Sequence, residues 1–153
     1  MWLLLYPDNS TKEVTTIDEL PKDVTGFVYL IVYKDGTKYI GKKNLYSTVK
    51  IKSLASGKQR PNVIGKEYRN TGKGFRQSYD VVRKETDWLK YKGSHKERLK
   101  PIDKKYILDF AYTKLQLTYL EAKLLFKHEV LESNEFLNEN ILNAFYKDRL
   151  HEY

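Results

Sequence analysis

The sequence contains no cysteine. That absence excludes disulfides, zinc ribbons, iron–sulfur clusters and thiol nucleophiles together, and it fits a cytoplasmic protein without requiring one. Long hydrophobic runs are missing too. The N-terminal Trp2 to Leu5 run is too short for a membrane span or for the apolar part of a signal peptide, and no basic segment precedes it, so no membrane partner is expected. There is no internal repeat, and His95 and His128 have no ligand partners at metal spacing, so both read as structural. With 153 residues the chain has room for one ordinary core, and the expectation is a single domain over 1–153.

What is present is positive charge gathered in one place. Hydrophobic residues at 41% and aromatic residues at 14% argue for a folded chain despite 31% charged residues. The net charge is +8, yet residues 42–105 hold 19 Lys+Arg against 6 Asp+Glu, while the remainder holds 9 against 14. A polyanion such as nucleic acid is the natural partner for such a block, because each phosphate neutralised releases counterions; a merely solvated basic surface is the bland alternative.

Along the chain, Trp2 to Tyr6 reads as a short edge strand, followed by a polar turn and a helical turn capped by Thr16 with Glu19 and stopped near Pro21. Phe27 to Tyr33 has two apolar faces and reads as a central strand. Asp35-Gly36 marks a hairpin. A two-residue loop would put Tyr29 and Tyr39 on opposite faces; a three-residue loop, Lys34 to Gly36, with a type I turn and a glycine bulge, pairs Tyr33 with Thr37 and Ile31 with Tyr39 and puts both tyrosines on one face.

Residues 44–94 read as a long basic insertion with a short helix around Ser47 to Ala55, ordered on DNA. Ser94 with Glu97 suggests a capped turn ending before Pro101, and Tyr106 to Thr113 alternates as a third strand. A largely buried helix is predicted from Thr118 to about Leu131, with Glu121 flanked by Leu124 and Leu125. Glu121 has a rival role, since Thr118-x-x-Glu121 is also a capping box. A turn at Asn138 and a last short helix complete the reading.

Hydrolysis of a phosphodiester needs a group that activates water, a cation that offsets developing charge and something that stabilises the leaving oxygen. Tyr29, Tyr39, Lys42, Lys43 and Glu121 could supply these, although spacing alone does not select them among thirteen tyrosines. Val28-Tyr29, a ten-residue interval and Tyr39-Ile40-Gly41 resemble the GIY-YIG nuclease motif. In order, YIGKK, DWxxYxGS, LxYLEAKxLF and LNxNI resemble phage-encoded members of that superfamily, over about residues 26 to 146.

The resemblance implies an α+β domain with a small, about three-stranded antiparallel sheet flanked by helices. It implies a metal-dependent endonuclease acting on double-stranded DNA. Tyr29 would be the general base or water-positioning group and Tyr39 its partner at the phosphate. Glu121 would hold Mg²⁺ or Mn²⁺, Asn138 would support the site, and Gly41 would let the backbone approach DNA. The arginine that the family carries after YIG is absent from 44–57, which leaves Lys43, Lys42, Arg60 or Arg69 to meet the phosphate. Other readings stay open: Tyr29 and Tyr39 as half-buried sheet residues, Asn138 as a turn residue or N-cap, and Trp88 and Tyr91 as packing residues. A catalytically inactive nucleic-acid-binding protein of the same fold is the alternative function, and an RNA-directed module is a third.

Overall fold

A computed structural model of the chain describes residues 1–72, 74–93 and 99–150. The expected turn at Ser94 and Glu97, and His95, lie outside the described residues. In chain order the strands are β1 (Trp2–Leu5), β2 (Thr11–Val14), β3 (Gly26–Tyr33), β4 (Lys38–Asn44), β5 (Tyr46–Lys52), β6 (Val63–Asn70), β7 (Arg76–Glu85), β8 (Ile102–Ala111), β9 (Asn140–Ile141) and β10 (Phe145–Tyr146). One α-helix, α1 (Lys114–Lys127), is present among the described residues, with single 3₁₀ turns at Ile17–Glu19 and Trp88–Lys90. The chain divides into two compact units, Met1–Leu45 with Asp87–Tyr153, and Tyr46–Thr86.

The first unit is built on a five-stranded sheet ordered β2-β1-β8-β3-β4. Its β8-β3-β4 portion is the expected antiparallel trio, but the sheet continues beyond it, with β1 parallel to β8 and β2 antiparallel to β1. The Trp2 to Tyr6 segment is therefore not an edge. Trp2 is fully buried, and its indole N–H donates to the Trp88 carbonyl at 2.7 Å, so the strand that carries it is drawn inside and β2 covers it. The expected helical turn forms as the 3₁₀ turn, where Glu19 Oε1 accepts from the amides of Thr15 and Thr16 at 3.0 and 3.1 Å.

β3 is central, as its two apolar faces require. The hairpin that follows has the three-residue loop. Tyr33 N–H donates to the Thr37 carbonyl and Gly36 N–H to the Tyr33 carbonyl, each at 2.9 Å, and Ile31 lies opposite Tyr39. Gly36 sits at φ +86°, the left-handed residue that the bulge needs.

The helix begins four residues earlier than predicted. Two T-x-x-polar patterns compete for its start, and Thr113 wins: its side chain accepts from Gln116 N–H at 3.0 Å, while Gln116 Oε1 accepts from the Tyr112 amide at 2.8 Å. Thr118 is consequently in the second turn, its hydroxyl donating back to the Lys114 carbonyl at 3.2 Å, and the Thr118–Glu121 capping box does not form. Nor is the helix buried all round. Leu117, Ala122 and Leu125 pack on Val28, Ile40 and Ala111, whereas Leu115, Tyr119 and Phe126 face solvent. Beyond it, the chain runs parallel to β4, with Lys38 N–H donating to the Glu135 carbonyl and Leu137 N–H to the Lys38 carbonyl, both at 2.8 Å. The expected last helix is replaced by the β9-β10 hairpin, because Leu142 and Asn143 take φ of 56° and 53° and turn the chain back.

The second unit replaces the expected basic loop with an antiparallel sheet ordered β5-β7-β6. The helix predicted around 47–55 is instead β5. Thr48, Val49 and Ile51 are β-branched, and seven consecutive residues pair with β7. This sheet has almost no interior: among the described residues of the unit only Asp80 is buried.

Candidate active site

Tyr29 pairs with Gly41 and Ile31 with Tyr39, so the two tyrosines are diagonal neighbours on one face, with ring centroids 6.3 Å apart. The Tyr29 ring lies across Gly41. A methyl group on Gly41 would stand 2.6 Å from Tyr29 Cζ and 3.0 Å from Tyr39 Cε1, so the close approach that this glycine permits is made by the Tyr29 ring. Tyr29 is enclosed by Trp2 at 5.5 Å and by Tyr91, edge-on at 5.8 Å, and is 1% exposed. Burial pushes its phenol far above the ordinary range, and the neighbouring Tyr91 and Tyr39, a hydrogen bond with Tyr91 and the charge of Glu121 add to the effect. Deprotonation by nearby cations is what a base role needs; this environment does the opposite.

Lys43 stands on the same face, opposite Phe27. Its ammonium is engaged, 2.7 Å from Asp87 Oδ1 and 3.9 Å above the Tyr91 ring, and it holds the Asp87 carboxyl below its usual range.

Glu121 arrives from the other side, since α1 packs on the face of Val28 and Ile40. It reaches the outer rim of β4, where the Lys42 amide donates to its carboxylate and the Lys42 ammonium stands 4.0 Å away. The ammonium also donates to Thr118 Oγ1 at 2.8 Å. Burial raises the Glu121 pKa, and Lys42 offsets only part of that. One turn back along the rim, Asn138 is 5% exposed; its Oδ1 accepts from Ile40 N–H at 3.1 Å and its Nδ2 donates to the Ile40 carbonyl at 2.7 Å. The outward-facing groups of the edge strand are thus satisfied in series by the 135–137 backbone, the Asn138 amide and the Glu121 carboxylate.

These side chains converge on one polar cavity of about 410 Å³ at the rim, lined among others by Tyr39, Lys42, Thr118, Glu121, Asn138, Glu139, Asn140 and Asn143. Of the residues expected from sequence, Tyr39, Lys42, Glu121 and Asn138 line it, while Tyr29 stands behind Gly41 and Lys43 turns to Asp87. Arg60 and Arg69 belong to the 46–86 unit. Arg60 donates through Nη2 to the Lys52 carbonyl at 3.0 Å and places Nε 3.5 Å from the buried Asp80 carboxylate, so it pins a loop. Arg69 is exposed, its guanidinium 5.4 Å from the Tyr79 ring.

Tyr91, expected as a packing residue of the DWxxYxGS element, packs on Tyr29 and also carries the Lys43 ammonium, a contact that sequence reasoning did not anticipate. Sequence reasoning also missed Thr118 and Glu139 on the cavity wall. A larger, apolar cavity of about 860 Å³ lies elsewhere, between Met1, Leu3, Leu89 and Ile102, with Lys105 at its wall. Among the described residues no group of three or more His, Cys, Asp or Glu could hold a metal ion, and no helix is long and apolar enough to cross a membrane.

A protein-family model described as "Putative endonuclease segE, GIY-YIG domain" matches residues 10–141. No curated protein and no solved structure matches the chain.

Proposed function

The chain belongs to the segE-type GIY-YIG endonuclease domain family, and from that premise we propose that it is a metal-dependent endonuclease hydrolysing double-stranded DNA at the outer rim of β4. The observation that supports this best is the meeting of Glu121, Lys42 and Tyr39 on one polar cavity, although Glu121 and Tyr39 are 82 residues apart in sequence and come from opposite faces of the sheet.

A part-buried carboxylate whose charge is incompletely compensated, walled by carboxamides and Glu139, fits a single hard cation that keeps most of its waters. Glu121 would hold Mg²⁺ or Mn²⁺, which when bound supplies charge that stabilises the phosphate as it becomes pentacovalent. The remaining work falls to the chain. Attack by water forms one P–O bond and breaks the opposite one, and the proton that the water gives up to solvent is balanced by the one that the leaving oxygen takes from it. Lys42 is the phosphate-facing cation in place of the family's arginine, a point charge without a bidentate fork. Tyr39 orients the phosphate. Tyr29, kept protonated by burial, acts as a positioning residue that holds Tyr39 and Tyr91 in place; of its two expected roles, the general base is the one this environment disfavours. Asn138 fixes Ile40, and with it the backbone between Tyr39 and Gly41.

One observation favours the second reading, a nucleic-acid-binding protein without catalysis: both lysines after YIG already have partners, Lys42 in Thr118 and Lys43 in Asp87. Supercoiled plasmid incubated with Mg²⁺ or Mn²⁺ separates the two. Nicked or linear product that disappears in Glu121→Gln, with the circular dichroism spectrum retained, is the expected result. Cutting that survives Glu121→Gln and Lys42→Ala would overturn the assignment, and salt-dependent binding with no cutting under either ion would establish the second reading.

A further inference from the structure

Residues 46–86 carry ten Lys+Arg against three Asp+Glu, and they form a sheet with only Asp80 buried among the described residues. A sheet that encloses so little apolar surface gains little from burial. Its two faces differ. Register places Val49, Ile51 and Val82 on the same face as Asp80, and there the 53–62 loop folds back, Ser53 Oγ donating to Asp80 at 3.0 Å and Arg60 standing against the same carboxylate. On the other face the charged side chains are exposed. That face presents Lys50 and Lys52 from β5, Arg83 and Tyr79 from β7 and Arg69 from β6.

Two of the cations on that open face stack on aromatic rings, as Arg76 does on Tyr68 on the Asp80 face. Arg83 lies 3.7 Å over the Tyr46 ring and Arg69 5.4 Å over Tyr79. Stacking orients a guanidinium without neutralising it or consuming its hydrogen-bond donors. Lys50 is paired with Glu67 at 2.6 Å, but Lys52 and Arg69 have no carboxylate partner among the described residues. Strands two apart in a sheet are separated by roughly 10 Å and alternate residues along a strand by about 7 Å, so Lys52, Arg69 and Arg83 form a broad basic patch, in which Glu67 is held by Lys50 and Glu85 stands beside Arg83. Such a patch matches the charge of a duplex backbone.

We infer that the open face of the β5-β7-β6 sheet is a docking surface for the phosphate backbone of duplex DNA, with Lys52, Arg69 and Arg83 as its contacts. The inference rests on the proposed nuclease function and deepens it by naming a second set of contacts with the same substrate. It supplies affinity and positioning through the phosphate backbone.

The test uses the full-length chain and a fluorescein-labelled duplex in EDTA, so that binding is read without cutting. Fluorescence anisotropy is followed across a salt series for wild type, for Lys52→Gln/Arg69→Gln/Arg83→Gln on the open face, and for Lys66→Gln/Arg76→Gln/Lys84→Gln on the covered face. Each triple removes the same charge. Loss of three phosphate contacts should flatten the slope of log K against log salt by about 2 to 3 and weaken binding at least tenfold near 0.1 M salt, on the order expected for counterion release. The covered-face triple should keep most of the wild-type slope, and Arg69→Lys/Arg83→Lys should retain it. Equal loss in both triples, an unchanged slope in the open-face triple, or preferential competition by single-stranded RNA would each overturn the inference. A chain that binds as described yet never cuts would remove the nuclease proposal and leave this surface standing; a chain that cuts with an unaltered slope would do the reverse.

Discussion

Asn138 and Ile40, 98 residues apart, are joined by two hydrogen bonds of 3.1 and 2.7 Å in which a side-chain amide takes the place of a neighbouring strand. The pairing closes the rim of the sheet at the residue between Tyr39 and Gly41.

Asn138→Ala should therefore expose two backbone groups of Ile40 to imperfect solvation. The expected loss is about 1–3 kcal/mol in urea unfolding. Asn138→Asp should lose at least as much at neutral pH, since a carboxylate accepts from Ile40 N–H but opposes its carbonyl. A change below a few tenths of a kcal/mol in both variants would show that the rim does not need this clamp.

Gly41→Ala is expected to be destabilising by about 1–3 kcal/mol, because the added methyl overlaps Tyr29 Cζ at 2.6 Å in a fully buried ring. Tyr29→Phe keeps that carbon and should not relieve the clash. Tyr29→Leu removes it, so the cycle of Gly41→Ala with Tyr29→Leu should be strongly non-additive, with the double variant closer to Tyr29→Leu alone. Additive losses would place the ring elsewhere.

Glu121 gives a pH signature. Burial raises its folded pKa, so the folded state holds this proton more tightly than the unfolded state does. Its unfavourable contribution is absent below the unfolded value of about 4.3, grows as pH rises through the folded value and is constant above it. Glu121→Gln should thus equal or exceed wild type in stability at pH 7, with the difference vanishing near pH 3, while cutting is lost. Greater stability of wild type at pH 7 would mean that Lys42 more than compensates the burial.

The Tyr29 phenol is raised by burial, which predicts alkaline behaviour. The unfolded chain ionises this group near pH 10 and the folded chain does not, so stability falls as pH rises above that value. Ultraviolet titration should show a tyrosine that ionises only on unfolding, missing in Tyr29→Phe. The same variant should leave the alkaline limb of the cutting profile unmoved; a limb that shifts with Tyr29→Phe would return the hydroxyl to the role of base.

The elements readable in the sequence were those whose cause is local. The hairpin loop follows from Asp35-Gly36 and a period of two, and the central position of β3 follows from its two apolar faces. Where two local signals competed, as Thr113-x-x-Gln116 and Thr118-x-x-Glu121 did for the helix start, sequence could not arbitrate. Packing did, because Leu117 lies buried against Val28 and needs the earlier start. β5 was illegible for a different reason: six of its seven residues are exposed, so no buried face imposes an apolar alternation to read.

The sequence by itself determined the family motif, the register that puts Tyr29 and Tyr39 on one face, and the concentration of positive charge in the middle of the chain. The tertiary structure alone decided that Lys43 turns to Asp87 and Tyr91 while Lys42 meets Glu121, and that Asn138 closes the rim. Alternate residues of an edge strand face opposite sides of the sheet. Which of two adjacent lysines reaches the cavity is therefore set by where α1 docks, and that depends on contacts some 76 residues away.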